Sequence, residues 1–330
     1  MNKALGKYKD ELEKTDQPGF KTPMKATLTH EHFSDPEWIY ERKLDGERCL
    51  LHKKSGEVTL FSRNRKNKNS AYPEIADALE KLPGDFILDA EIVTFEGDVS
   101  SFSKLQHRIH VKSPDDKLKQ EVPVYAYIFD IIYLDGYDLT GLPLRERKSI
   151  LKNAFDYKDP LRYLPHRNEE GEKYLEEACG KGWEGLIAKD ASSNYIHKRA
   201  KSWLKFKCGH GQELVIGGYT EPKGSRVGFG ALLLGYYEGG DLKYAGRVGT
   251  GFNDEFLESL YRRMAQMKRR TCPFKGFDEK TGDITWIEPR LVGEIGFTEW
   301  TSEGKLRHPR FLGLRDDKKA EGVIREDKAA

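Results

Sequence analysis

Residues 37–54 read EWIYERKLDGERCLLHKK, and SGEVTLFSRN follows at 55–64. Extended, half-apolar runs flank an Asp45-Gly46 pair, the pattern of a strand, a turn and further strands. Lys43 stands at the turn, in K-x-D-G. An amine so placed forms a covalent intermediate when it is held neutral beside an electrophile. Neighbouring cations and partial burial lower a lysine's pKa, and Arg42, Arg48 and the later lysines are the candidates to supply that field. The plain alternative is a hairpin with Lys43 in solvent, and a motif this short does not separate the two.

Outward from this stretch, YPEIADALEKL (72–82) spaces Ile75, Leu79 and Leu82 as an amphipathic helix does. DFILDAEIVTF (85–95) and VPVYAYIFDIIYLDG (122–136) are rich in β-branched and aromatic residues and predict buried strands. VKSPDDKLKQE (111–121) is polar and predicts an exposed loop. Helices are expected at LRERKSILKNAF and NEEGEKYLEEACGKG, strands at WEGLIAKD and SWLKFKC. The texture changes near residue 210. ALLLGYYEGGDLKYAGRVGTGF predicts a strand pair across Gly-Gly-Asp, with its later glycines serving turns. NDEFLESLYRRMAQMKRR (253–270) predicts a helix capped by Asn253, with Phe256, Leu260 and Met264 on one face. DITWIEPRLVGEIGFTEWT (283–301) is strand again. Short strands with one helix suit a small closed barrel of the OB type.

At 330 residues, two domains are the default. The expected layout is a charged segment over 1–20, a solvated tail or a short frayed helix, then a mixed α/β domain over 21–209 and the barrel domain over 210–330, an α+β protein. No apolar run is long enough to span a bilayer, and the first twenty residues lack a signal-peptide core, so a cytoplasmic location is expected. The four cysteines form no C-x-x-C pair, which argues against zinc and against a disulfide framework; reduced, mostly buried thiols are expected. The net charge of +2 says little about partners. Three local basic clusters, SRNRKNKN (62–69), HKRAKSWLKFK (197–207) and YRRMAQMKRR (261–270), suit backbone phosphates or else are solvated faces.

Further chemistry-bearing residues follow Lys43 in order. Arg63 lies in S-R-N, Glu91 in D-A-E, Phe129 in an aromatic strand, Glu184 in E-G-x-x-x-K, and Lys205 and Lys207 on one strand face in K-x-K. Each alone has a structural explanation. The ordered series resembles the nucleotidyltransferase motifs of the covalent ligase and mRNA-capping superfamily. FGALLLGYYEGGDLKYAGRVGTGF and LRHPRFLGLRDDK (306–318) are similar to the C-terminal domain of the ATP-dependent DNA ligases of prokaryotic non-homologous end joining.

That resemblance implies an adenylation domain followed by an OB-fold, and a three-step reaction. Lys43 attacks the α-phosphate of ATP, AMP passes to a 5′-phosphate, and a 3′-hydroxyl then displaces AMP. It implies that Phe129 stacks on adenine, Glu91 and Arg48 hold the ribose, and Arg63 binds ribose or the 5′-phosphate. Lys205 and Lys207 would neutralise charge on the α-phosphate, and Glu184 with Glu91 would ligate Mg²⁺ or Mn²⁺. Arg315, Asp317 and Lys318 would orient pyrophosphate, with the small domain closing for that step. Nicked or broken duplex DNA is the implied partner, with Ku as a recruiter and monomer as the default state. The length leaves no room for polymerase or nuclease domains, which are expected on other chains. In a prokaryote the protein would be nucleoid-associated. An RNA ligase, a GTP-using capping enzyme, or a non-catalytic nick- or end-binding protein are the rival readings.

Overall fold

The computed structural model describes residues 5–326 except 11, 30, 209, 223, 225, 280–282 and 298. It divides into two compact units, Met1–Cys208 and Gly209–Ala330.

The strands of three or more residues in the first unit are β1 (Lys25–Leu28), β2 (Trp38–Arg42), β3 (Glu47–Lys54), β4 (Glu57–Ser62), β5 (Phe86–Val93), β6 (Tyr125–Leu134), β7 (Leu161–Tyr163), β8 (His166–Asn168), β9 (Gly185–Asp190) and β10 (Arg199–Lys207). One sheet runs β1-β10-β9-β2-β8 and a second runs β7-β6-β5-β3-β4. β2 and β3 therefore do not form a hairpin. β2 pairs with β8 and β9, β3 with β4 and β5, and residues 43–46 carry the chain from one sheet to the other.

Helices α1 (Pro73–Glu80), α2 (Phe102–Ile109) and α4 (Leu144–Ala154) cover the second sheet, where Ile75, Leu79, Leu105, Ile150 and Leu151 join Leu51, Leu88 and Ile131 in one core. Helix α5 (Gly171–Gly180) covers the first sheet, burying Tyr174, Leu175 and Ala178 against Tyr40, Leu186 and Phe206. Between the sheets lies a third cluster that includes Leu44, Leu50, Ile87, Phe129, Tyr195 and Trp203. The result is four layers, helix, sheet, sheet, helices, with Arg48 and Phe129 in the seam between the sheets.

One expectation is narrowed here and another fails. Gly6–Asp10 form a short 3-10 helix, and Leu5 is 1% exposed within the second sheet's core with Tyr8 and Leu12 packed beside it, so from Leu5 onward the helix and not the solvated tail is found. The stretch 111–121 contains helix α3 (Asp116–Glu121) rather than only loop. The Asp115 carboxylate accepts from the Leu118 N–H and nucleates that turn, although no residue of the helix is buried.

The second unit is a five-stranded sheet of β11 (His210–Thr220), β12 (Leu232–Glu238), β13 (Asp241–Val248), β14 (Ile284–Phe297) and β15 (Arg310–Leu314), in the order β13-β12-β11-β14-β15. This antiparallel, OB-like arrangement wraps an apolar core that α6 (Asp254–Ala265) caps with Leu257, Leu260 and Met264. Asn253 caps α6 by accepting from the Phe256 N–H at 2.8 Å. The β12–β13 hairpin turns on Gly239 and Gly240, both at positive φ.

Candidate active site

The site begins with the crossover. Gly46 has no space for a side chain: a Cβ there would lie 2.2 Å from the Ile92 carbonyl oxygen. The Asp45 N–H donates to Ser100 Oγ at 3.0 Å and the Lys43 N–H to the Gly185 carbonyl at 2.9 Å. The loop is thus pinned to β5's neighbourhood on one side and to β9 on the other. Gly185 is the second backbone contact point, at φ +140°, with a Cβ position 1.9 Å from the Phe206 oxygen.

Lys43 Nζ forms an ion pair with Glu184, with side chains 18% and 25% exposed. Burial disfavours the lysine's charge, but the Glu184 carboxylate outweighs it, against opposition from Lys207, and the pKa ends above the usual lysine range. The expected depression does not occur. Of the cations anticipated, Lys207 is the one that opposes the lysine's charge most. Arg42 donates to the Asp98 carbonyl at 2.7 Å and lies 4.0 Å from the Trp183 ring, while Arg48 is held elsewhere.

Arg48, on β3, makes a two-pronged pair with Asp89 at 2.9 and 2.6 Å. Asp89 also accepts from the Tyr195 hydroxyl at 2.6 Å, and that hydroxyl accepts from the Met24 N–H at 3.0 Å. The guanidinium carbon stands 5.1 Å from the centre of the Phe129 ring. Glu91 is the register partner of Arg48 across the β3–β5 ladder. Phe129 is 8% exposed, edge-on to Trp203 at 6.2 Å, with Lys189 Nζ 4.4 Å from its ring centre. Arg63 follows β4 and, with Arg199 and Arg48, bears on Lys25, whose pKa is lowered by burial first and by these three cations next. Such a collection of positive charge suits an anion. Lys205 and Lys207 are both half-buried on β10, and Lys207 sits in register opposite Gly185.

The structure therefore gathers Lys43, Glu184 and Lys207 at one end of the first sheet, and Arg48 and Phe129 in the seam. Arg315, Asp317 and Lys318 belong to the second unit. There Arg315 grips Asp317 at 2.9 and 3.0 Å and reaches Glu294 at 3.3 Å, while Lys318 pairs with Glu213. Burial disfavours the Asp317 carboxylate, yet Arg315 overrides it and holds the pKa below the usual range.

Sequence reading missed three features. Glu41, 1% exposed, is held at 2.6 Å by both Lys148 and Lys189. Its position on β2 two residues before Lys43 was the available signal, as was the terminal lysine of E-G-x-x-x-K. Asp89 and Tyr195, the anchors of Arg48, gave no signal apart from the aspartate of D-A-E. Third, Cys179 and Cys208 form a disulfide with Cα atoms 5.1 Å apart, against the expectation of four reduced thiols. The two are 29 residues apart in sequence, and only the return of β9 and β10 beneath α5 brings them together. Cys49 and Cys272 remain free thiols.

Among the described residues, no three or more His, Cys, Asp or Glu side chains form a metal-binding group. Glu184 and Glu91 offer hard oxygen donors, which suits an ion that draws its remaining ligands from phosphate and water.

A covalent-nucleotidyltransferase arrangement is what the crossover lysine, its carboxylate partner and the flanking lysine strand define, and the comparisons agree. Residues 22–207 match the family model "ATP dependent DNA ligase domain" and residues 225–318 match "ATP dependent DNA ligase C terminal region". The chain belongs to the ATP-dependent DNA ligase family. It is similar to the multifunctional non-homologous end joining protein LigD of Pseudomonas aeruginosa, at 35% identity over 95% of this chain and 37% of that one. It is also similar to a DNA ligase of Sulfophobococcus zilligii, at 33% identity over 94% of this chain and 58% of that one. The chain thus spans about two-fifths of the length of the LigD proteins it matches. The solved structure of a mycobacterial DNA ligase D complexed with ATP and MES shares 33% identity, covering 92% of this chain and 98% of that one with a TM-score of 0.66. No helix among the described residues is long and apolar enough to cross a membrane.

Proposed function

We propose that this chain seals 5′-phosphate/3′-hydroxyl breaks in DNA through a lysyl-AMP intermediate, in end-joining repair. The observation that carries the reading is Lys43 on a pinned crossover, facing Glu184, with Lys207 bearing on it electrostatically. Lys43 Nζ gives up its proton, bonds to the α-phosphorus of ATP and displaces pyrophosphate. AMP then passes to the 5′-phosphate oxygen, and attack by the 3′-hydroxyl forms the phosphodiester and releases AMP.

Because Glu184 holds Lys43 as an ammonium, charge neutralisation at Glu184 frees the amine. Glu184 and Glu91 would hold a divalent ion, Mg²⁺ or Mn²⁺, which when bound would supply that neutralisation and shield the phosphates. Lys205 and Lys207 offset charge on the α-phosphate. Phe129 and Arg48 line the base and ribose site, with Glu91 beside Arg48. Arg63 meets ribose or the 5′-phosphate, and Arg315, Asp317 and Lys318 orient the leaving pyrophosphate. In the cell the protein works in the cytoplasm at the nucleoid, as a monomer recruited by an end-binding protein such as Ku.

The test is incubation with α-labelled ATP and Mg²⁺ or Mn²⁺, after stripping with pyrophosphate, followed by a denaturing gel. Label that survives denaturation with ATP, vanishes in Lys43→Ala and chases onto nicked DNA is the expected result. Chase onto nicked RNA alone, label from GTP alone, or no label at all would each sink it. A pull-down without Ku would remove the recruitment step only.

A further inference from the structure

The disulfide lies beside the reactive lysine's partner. Cys179 is the exposed penultimate residue of α5, and Cys208, half-buried, follows the last residue of β10. The Cys208 N–H donates to the Glu184 carbonyl at 3.1 Å. From the other end, the Gly182 N–H donates to the Cys179 carbonyl at 3.0 Å and the Trp183 N–H to the Ala178 carbonyl at 2.9 Å. Glu184 is therefore bonded directly to Cys208 and lies two residues beyond the Gly182 N–H that donates to Cys179. The 29-residue separation they close encloses Glu184, Gly185, Lys189, Lys205 and Lys207. Cys208 is also the last residue of the first unit. His32, Glu176, Lys207 and both cysteines line one open cavity.

We propose that Cys179–Cys208 is a reversible thiol–disulfide modification site, addressed by dithiol reductants, whose state sets the order of the Glu184–Lys207 edge. Its effect on catalysis rests on the function proposed above. The reductant's thiolate attacks the exposed Cys179 Sγ, the S–S bond breaks, and Cys208 leaves as a thiolate beside Lys207. The reductant's second thiolate then attacks the mixed disulfide and releases Cys179. Two electrons pass from the two reductant thiols, which end as a disulfide, and the two cysteines take up protons. A disulfide oxidant such as glutathione disulfide runs the exchange in reverse. An exposed disulfide is one that reductants reach, and this one differs from buried Cys49 in that respect. Reduction removes the covalent tie and leaves the Glu184–Lys207 edge held by non-covalent contacts, so the arrangement around Lys43 is less preorganised.

The experiment takes the whole chain through glutathione disulfide and then dithiothreitol. It counts thiols by maleimide mass tagging in denaturant and follows amide exchange by mass spectrometry. Two tagged thiols should become four. Exchange in the segments 183–185 and 205–208 should quicken at least threefold, and lysyl-AMP should form at least threefold more slowly. Cys179→Ser should sit at the reduced rate and ignore dithiothreitol, while Cys272→Ser should keep the response. Four thiols after oxidation, or exchange indifferent to the redox state, would overturn the proposal. A normal thiol and exchange response without any AMP label would instead overturn the ligase reading and leave the redox site standing.

Discussion

Two lysine–glutamate clusters sit within a few residues of each other along β2 and β9, and they differ in one respect. Glu41 is closed off with Lys148 and Lys189, all at most 2% exposed. Lys43 and Glu184 form their pair at the edge, 18% and 25% exposed. The buried cluster has no access to another partner. Lys148 also donates to the Leu164 carbonyl at 2.8 Å, and Lys189 lies 4.0 Å from the Trp203 ring, so both cations are committed to the seam between the sheets. The edge pair can exchange its partner for a ligand. Similar residue types thus form a closed scaffold in one place and, in the proposed mechanism, the machinery in the other, according to their access to solvent.

The comparison breaks most visibly at Lys43. Lys43→Ala should lower AMP labelling by about 10³-fold or more, the scale of losing a covalent nucleophile, while the melting temperature stays near that of the wild type. If the variant unfolds instead, the edge pair is scaffold after all. Glu41→Gln should do the opposite kind of damage. Leaving two lysines buried against a neutral amide costs about 3–5 kcal/mol, read as a lower denaturant midpoint. An unchanged midpoint would show that the seam is wetter than its burial indicates.

His52 sharpens the distinction from a third side. It is a buried base with no hydrogen-bond partner at Nε2, and burial lowers its pKa from 6.5 to about 4. With the folded value below the unfolded one, its contribution to stability is full above about pH 6.5. It is lost as pH falls toward 4, by up to about 3 kcal/mol. His52→Phe should flatten that part of the stability–pH curve in urea titrations, and an unaltered curve would refute the assignment. The smallest displacement is expected in the pH profile of Glu184→Gln. Without the carboxylate the Lys43 pKa falls, so the alkaline-rising limb of the adenylation rate should move toward lower pH. A limb that stays in place would mean that another group titrates there.

The clusters also show what sequence can and cannot deliver. Alternation and β-branched content made β5, β6 and the β12–β13 hairpin legible, and Asn253 announced its helix, because these signals are local. The family was readable in the ordered series Lys43, Glu91, Glu184 and Lys207 because chemistry restricts residue type at each point of such motifs. The partners were not. Asp89 answers Arg48 from 41 residues away and Lys148 answers Glu41 from 107 residues away, distances over which no pattern in the chain ties one to the other. Cys179 and Cys208 were opaque for the same reason. Lys43's raised pKa was misjudged because the sequence lists nearby cations without saying which carboxylate reaches the amine first.

The crossover at residues 43–46 has one more consequence. It joins strands belonging to two different sheets, and both ends are bonded, Lys43 to β9's first residue and Asp45 to Ser100. It therefore works as a ruler of fixed length. Adding or deleting one residue between Arg42 and Glu47 would invert the faces of β2 or β3, and neither sheet could absorb the error without turning its core outward. Point substitutions can be tolerated on either side of the lysine, but the spacing itself has no neighbouring solution.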